Sequence, residues 1–160
     1  YRKIAFASLY SVHNDRSQDR LKGYLAALKQ LGHEPDPRMV LETGRGLAAG
    51  AEVVARVMQS VPEVDALFCA GEVLAVGALF ECQRRNWPVP GRIALASFDD
   101  VDLLRHGRPS ITTLPLPRYD IGERTARILL SRIIDGAEAK RLTPGKATFT
   151  DPSTGRSAIR

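Results

Sequence analysis

The sequence predicts an α/β domain, an open parallel sheet with helices on both faces. Three observations carry that expectation. Short β-favouring runs alternate with longer segments of helical periodicity along most of the chain. The strand runs are apolar throughout, as strands buried on both faces are. Glycines and prolines fall between the segments and rarely inside them.

Lys3 to Ser8 (KIAFAS) is the first strand. Ser17 to Leu31 then sets Leu21, Tyr24, Leu25, Leu28 and Leu31 at helical spacing, and Gly32 ends the helix. After a Pro35/Pro37 turn, Met39 to Glu42 is a brief extended run that leads into the glycine-rich segment Gly44 to Gly50. Val53, Val54, Val57, Met58 and Val61 make a second helical face, closed by Pro62. Asp65 to Ala70 (DALFCA) reads as a buried strand, followed at once by a helix over Val73 to Arg85 with Val73, Val76, Leu79 and Phe80 on one side. A turn holding Pro88, Pro90 and Gly91 precedes the strand Ile93 to Phe98 (IALASF). Four strands separated by three helices suit right-handed crossovers within one sheet. Beyond Phe98 the rhythm breaks. Asp99, Asp100 and Asp102 make an acidic turn, and Ser110 to Leu114 is a short β run. Pro115 and Pro117 lead into a long helix carrying Ile121, Leu129, Leu130, Ile133 and Ile134 up to Gly136. One more strand is expected at Ala147 to Thr150.

The 160 residues are 44% hydrophobic, 26% charged and 6% aromatic, the composition of one ordinary globular domain. Disorder, collagen and disulfide scaffolds are excluded. Apolar stretches fall far short of the ~18 residues of a membrane helix, and nothing reads as a secretory leader, so the expected location is the cytoplasm. Cys69 and Cys82 each sit in an apolar or amphipathic run and read as small buried hydrophobes. His13, His33 and His106 are scattered without metal-ligand spacing, and no metal site is expected. The net charge of +5 lies entirely in the last third: residues 1–103 carry 12 basic and 13 acidic side chains, residues 104–160 carry 11 and 5. Those bases follow no helix-turn-helix, zinc-finger or RRM pattern, so DNA contact by this segment itself is not expected.

In an open parallel sheet, ligands lie beyond the carboxyl ends of the strands near the switch in strand order. The residues expected there are Leu9 to Arg20, Gly44 to Gly46, Gly71 with Glu72, and Asp99 with Asp100. No GxSxG elbow, GxxxxGK[ST] loop or activated nucleophile is present, which argues against an enzyme. Gly44-Arg-Gly-Leu-Ala-Ala-Gly50 is one residue longer than the dinucleotide fingerprint, which leaves an NAD(P)-dependent oxidoreductase as an alternative; its usual acidic partner would be Glu63 or Asp65. Asp99-Asp100 reads either as a solvated capping turn or as a ligand carboxylate. Arg20 reads either as a surface residue beside Asp19 or as a guanidinium fork that donates to hydroxyl or carboxylate oxygens. Composition does not choose between these.

The run DALFCAGEVLAVGALFECQRRNWPVPGRIALASFDDVDLLRHGRPSITTLPLPRYDIGERTARILL resembles the effector-binding core of LacI/GalR-type transcription regulators. It shares their buried strand, small-residue helix, "FDD" and "P.LTT…P…G..A..LL" pattern. Arg20-Leu-Lys-Gly-Tyr24 is similar to their "R..G[FY]..AL" helix, and the wording of Phe80 to Arg84 looks most like the gluconate-repressor branch. The resemblance implies the C-terminal subdomain of a periplasmic-binding-protein-like fold over residues 1–115. Residues 116–160 would be a crossover helix and tail that contact an N-terminal subdomain absent from this chain. It implies an effector held by Arg20 and Asp99, with no cofactor. The family's Asn-Asp after the third strand is here Gly71-Glu72, so an amide contact is missing. Arg45 and Arg118 fall where sugar-binding members often carry aromatics, which points to an anionic sugar derivative, gluconate or its phosphate first. Dimerisation through the helix of Val76 and Phe80, and DNA contact through an absent N-terminal helix-turn-helix, follow from the same resemblance. A solute-binding protein of the same two-lobed architecture is a further alternative.

Overall fold

The computed structural model describes residues 1–12, 14–135, 149–150 and 157–158. The chain runs β1 (Ile4–Leu9), α1 (Asp15–Gln30), β2 (Val40–Thr43), α2 (Leu47–Ser60), β3 (Ala66–Cys69), α3 (Glu72–Arg84), β4 (Ala94–Phe98), α4 (Asp102–His106), β5 (Thr112–Leu114) and α5 (Arg118–Asp135). Two-residue strands follow, β6 (Phe149–Thr150) and β7 (Ser157–Ala158). Among the described residues the sheet order is β2-β1-β3-β4-β5-β6-β7. The first five strands pair in parallel, and β6 and β7 are antiparallel additions at the β5 edge. The expected parallel α/β sheet is therefore present. Of the expected strand Ala147 to Thr150, the first two residues lie outside the described residues, as do His13 and Gly136.

Local chemistry sets the boundaries. Helix α1 begins two residues earlier than its apolar periodicity suggests, because Asn14 caps it: Asn14 Oδ1 accepts from the Ser17 N–H at 3.2 Å. A 3-10 turn at Pro37–Met39 is started by the Asp36 carboxylate, which accepts from the Arg38 N–H at 2.9 Å. Helix α2 starts from Gly46, whose φ of +113° favours glycine.

Period-two alternation divides each strand between two cores. Ala5 and Ala7 of β1, with Leu67 and Cys69 of β3, face α2 and α3, where Val53, Val54, Val57, Leu74, Ala75 and Ala78 make the larger core. Phe6 faces the other way, stacked on Tyr24 of α1 at 5.1 Å between ring centroids and tilted against Phe68 at 5.5 Å. Both cysteines are free and buried, and burial pushes their thiols up to about 12 for Cys69 and about 11 for Cys82. That matches their expected role as small hydrophobes.

Helix α5 differs from the rest. Ile121, Leu129, Leu130 and Ile133 stand exposed along it, and the side chain of Ile134 lies outside the described residues. No helix among the described residues is long and apolar enough to cross a membrane.

Candidate functional site

Strand order reverses at β1 and β3: β2 lies outside β1, while β4 and β5 follow β3 on the opposite side. Splayed loops at such a switch leave a crevice beyond the carboxyl ends. A cleft of about 510 Å³ lies there, bordered by Leu9, Asn14, Arg16, Ser17 and Arg20 on the α1 side. Arg45 and Gly46 border it at the start of α2, and Ala70, Gly71 and Glu72 at the start of α3. Its volume suits a small ligand.

Arg20 is fixed. Its Nη1 donates to the Ala70 carbonyl at 2.7 Å, and its guanidinium carbon lies 3.9 Å from the centroid of the Phe98 ring. Burial draws its pKa downward, opposed by the charges of Asp99 and Glu72 and reinforced by Arg16. Asp19 pairs with Lys22 instead, so the surface pairing of Arg20 with Asp19 is not formed.

The two acids after β4 take separate roles. Asp100 is engaged inside the fold, paired with Arg105 and accepting from Thr113 Oγ1 at 3.3 Å. Asp99 adopts a φ of +78°, which non-glycine residues seldom do outside functional or tightly turned sites. Its N–H donates to the Leu114 carbonyl at 3.0 Å, and its Oδ1 accepts from the Asp100 N–H at 2.8 Å. Arg118, in the first turn of α5, forms an ion pair with Asp99.

Of the residues expected from sequence, Arg20, Arg45, Gly71 and Glu72 share one cleft. Asp99 adjoins it through Phe98 and the charge of Arg20. Arg118 does not border that cleft, and its guanidinium pairs with Asp99. Val76 is buried in the larger core and Phe80, one turn on, is half exposed. Asn14 and Arg16 fall within the expected stretch Leu9 to Arg20 but are not singled out by it. The signal was there: once Asn14 is read as the cap, Arg16 stands i,i+4 from Arg20 on one helix face.

The glycine segment does not sit where a dinucleotide fingerprint belongs. It follows the edge strand β2 instead of β1. Asp65 accepts from the Arg2 and Lys3 N–H groups at 2.7 and 3.0 Å, and Glu63 pairs with Lys3, all at the amino end of the strands. Neither acid reaches a ligand at the glycines.

Residues 1–149 match the periplasmic binding protein-like domain. The chain belongs to that family. Within this periplasmic binding protein-like group it is 32% identical over 114 residues to the HTH-type transcriptional repressor CytR of Escherichia coli K12, covering 71% of this chain and 33% of CytR. It is 34% identical over 120 residues to the HTH-type transcriptional regulator GntR of the same strain, covering 75% and 36%. The structure of the transcription regulator GntR from Chromobacterium violaceum superposes with a TM-score of 0.77 at 34% identity, over 88% of this chain and 51% of that one. These relatives are LacI-family transcriptional regulators, as the motifs implied. The chain spans about a third of the length of the curated relatives it matches.

Proposed function

We propose that this chain is the effector-binding part of a LacI/GalR-type transcriptional repressor that senses a small sugar or sugar acid of gluconate type. The observation that carries the reading is the arginine-lined cleft at the β1/β3 switch point, with Asp99 beside it, in a chain 34% identical to GntR. Residues 1–115 act as the C-terminal effector-binding subdomain, and residues 116–160 as the crossover helix and tail that meet an N-terminal subdomain. The exposed apolar side of α5 supports this division. DNA is contacted only through a separate N-terminal domain, in the cytoplasm, and no covalent chemistry, cofactor, metal or membrane is involved. Two copies pair through α3, with half-exposed Phe80 on the contact and Val76 bracing the same helix from the core side.

Binding acts by population shift. The effector must make different contacts in two subdomain arrangements, with a coupling of about 1–3 kcal/mol being typical. Asp99 is suited to accept from sugar hydroxyls, but Arg118 holds it in this state. A ligand that takes Asp99 competes with Arg118, and Arg118 opens the helix that leads out of the subdomain. Effector occupancy and the position of α5 are thereby tied together.

The test is calorimetry and DNA binding on the complete protein. Gluconate or its phosphate should bind and change affinity for DNA upstream of the protein's own gene. Arg20→Ala should weaken that binding by about tenfold or more, the scale of one charge-assisted contact. Failure of every sugar derivative to alter DNA affinity would refute the reading.

A further inference from the structure

The cleft carries more positive charge than a free sugar acid requires. Arg16, Arg20 and Arg45 line it against one carboxylate, Glu72. Arg20 is committed to the Ala70 carbonyl and the Phe98 ring. Arg16 and Arg45 are exposed, and neither has an ion-pair partner among the described residues. Like charges placed together repel unless an anion lies between them.

Two helix starts open onto the same space. The caps of α2 and α3 are Gly46 and Gly71, neither supplies a side-chain hydrogen bond, and both border the cleft. A Cβ at Gly44, Gly46 or Gly71 would meet nothing within 4 Å, so the backbone there faces open room. First-turn N–H groups left without caps attract an anion.

We infer that the end of the cleft between Arg16, Arg45 and the starts of α2 and α3 is a phosphoryl-binding subsite, and that the effector is a phosphorylated sugar or sugar acid. This rests on the effector-binding reading and names its ligand class. A phosphoryl group carries about −1.5 to −2 charge at neutral pH on three acceptor oxygens, enough to match three guanidinium groups opposed by one carboxylate. A carboxylate has one charge and two oxygens, and leaves one arginine unmatched. Asp99, next to Phe98 and close enough to Arg20 to act on its charge but not lining the cleft with Arg16 and Arg45, repels phosphate and accepts from hydroxyls, so the ligand has one orientation. The glycine-rich segment is thereby accounted for: Gly44 and Gly46 bare the backbone at the subsite, and Gly50 lets α2 close on α3.

The test is calorimetry on the complete protein with matched pairs, 6-phosphogluconate against gluconate and glucose 6-phosphate against glucose, with inorganic phosphate alone. In at least one pair the phosphorylated member should bind about 30-fold tighter or more, and inorganic phosphate should compete with it. Arg16→Gln and Arg45→Gln, both at exposed positions, should each weaken that member by about tenfold more than they weaken its unphosphorylated partner. Circular dichroism checks that the variants are folded; if they are not, the wild-type pairs decide alone. Equal losses for both members overturn the subsite. So does a preference for the unphosphorylated member, which leaves the effector-binding reading standing, and so does failure of every phosphate-bearing probe to bind. Phosphorylated-sugar binding that leaves DNA affinity unchanged supports the subsite and overturns the repressor reading.

Discussion

The two faces of the sheet hold their helices in opposite ways. On one face α2 and α3 meet backbone to backbone: a Cβ at Gly50 would stand 2.2 Å from the Leu74 carbonyl oxygen, and one at Gly77 would stand 2.1 Å from that of Leu47. On the other face α1 meets the sheet through large side chains, with Phe6 stacked on Tyr24, and mid-helix Gly23 has open space where a Cβ would be. One residue type therefore encodes opposite constraints. The difference matters at the cleft. The starts of α2 and α3 are locked to each other, so Gly46 and Gly71 border it on a rigid frame. Arg20 on α1 has no such frame, and is held by its own contacts with Ala70 and Phe98.

The largest effect should come from Gly77→Ala. The new methyl group would fall on main chain, which cannot rotate aside as a flexible side chain can, so α2 and α3 must separate along a packed core. A loss of about 3 kcal/mol is expected, at the upper end for overpacking, read as a shift in the urea midpoint with an unchanged slope. A loss below about 1 kcal/mol would mean that the two helices slide freely.

That crossing is what the sequence left unreadable. Period-two strands and period-3.6 helices fixed the order of elements, because each periodicity is a local property of the chain. The small residues around Gly77 permit the close approach of another helix, and Gly50 closes the glycine-rich segment, but neither names its partner, since a close approach belongs to two segments at once. The site was legible in the same measure. Arg20, Arg45, Gly71 and Glu72 were placed by their positions after strands, and picking Arg16 out of the stretch Leu9 to Arg20 depended on a helix start shifted by the Asn14 cap. The pairing of Arg118 with Asp99 spans 19 positions, and no periodicity foretells it.

On the α1 face, Tyr24→Phe should cost about 1 kcal/mol. It keeps the ring on Phe6 but removes a hydroxyl that donates to the Ile4 carbonyl at 2.7 Å, a net loss typical of one hydrogen bond. Thermal unfolding measures it. A cost near 3 kcal/mol would show that this face is as unforgiving as the other.

Gly23→Ala should do the reverse of Gly77→Ala and raise stability by about 0.5–1 kcal/mol. The site is helical and open, so alanine removes backbone freedom from the unfolded chain without a clash in the folded one. Opposite signs for the same substitution in α1 and α3 would establish the contrast between the faces directly; a loss at Gly23 would remove it.

The smallest effect sharpens the comparison by asking whether charge helps to hold α3. Glu81 accepts from Arg84 Nε and Nη2 at 2.8 and 2.7 Å and from Arg85 Nε at 2.5 Å, which holds its carboxyl down at about 2 against an ordinary 4.5. Both arginines are largely open to water, so screening keeps the contribution below about 1 kcal/mol. A carboxyl whose pKa is lowered by folding stabilises the fold above its unfolded value and loses that contribution as pH falls toward its folded one. Glu81→Gln should therefore lower stability by a constant small amount above about pH 5.5. The gap should shrink between about pH 5 and pH 2 and close below that, as the wild-type carboxyl becomes protonated and as neutral as glutamine. Urea titrations of both proteins at pH 7, 4 and 2.5 measure the difference. A gap that stays constant down to pH 2.5 would mean that the glutamate matters through packing against α3's own turn, and that backbone contact and apolar burial alone hold this face.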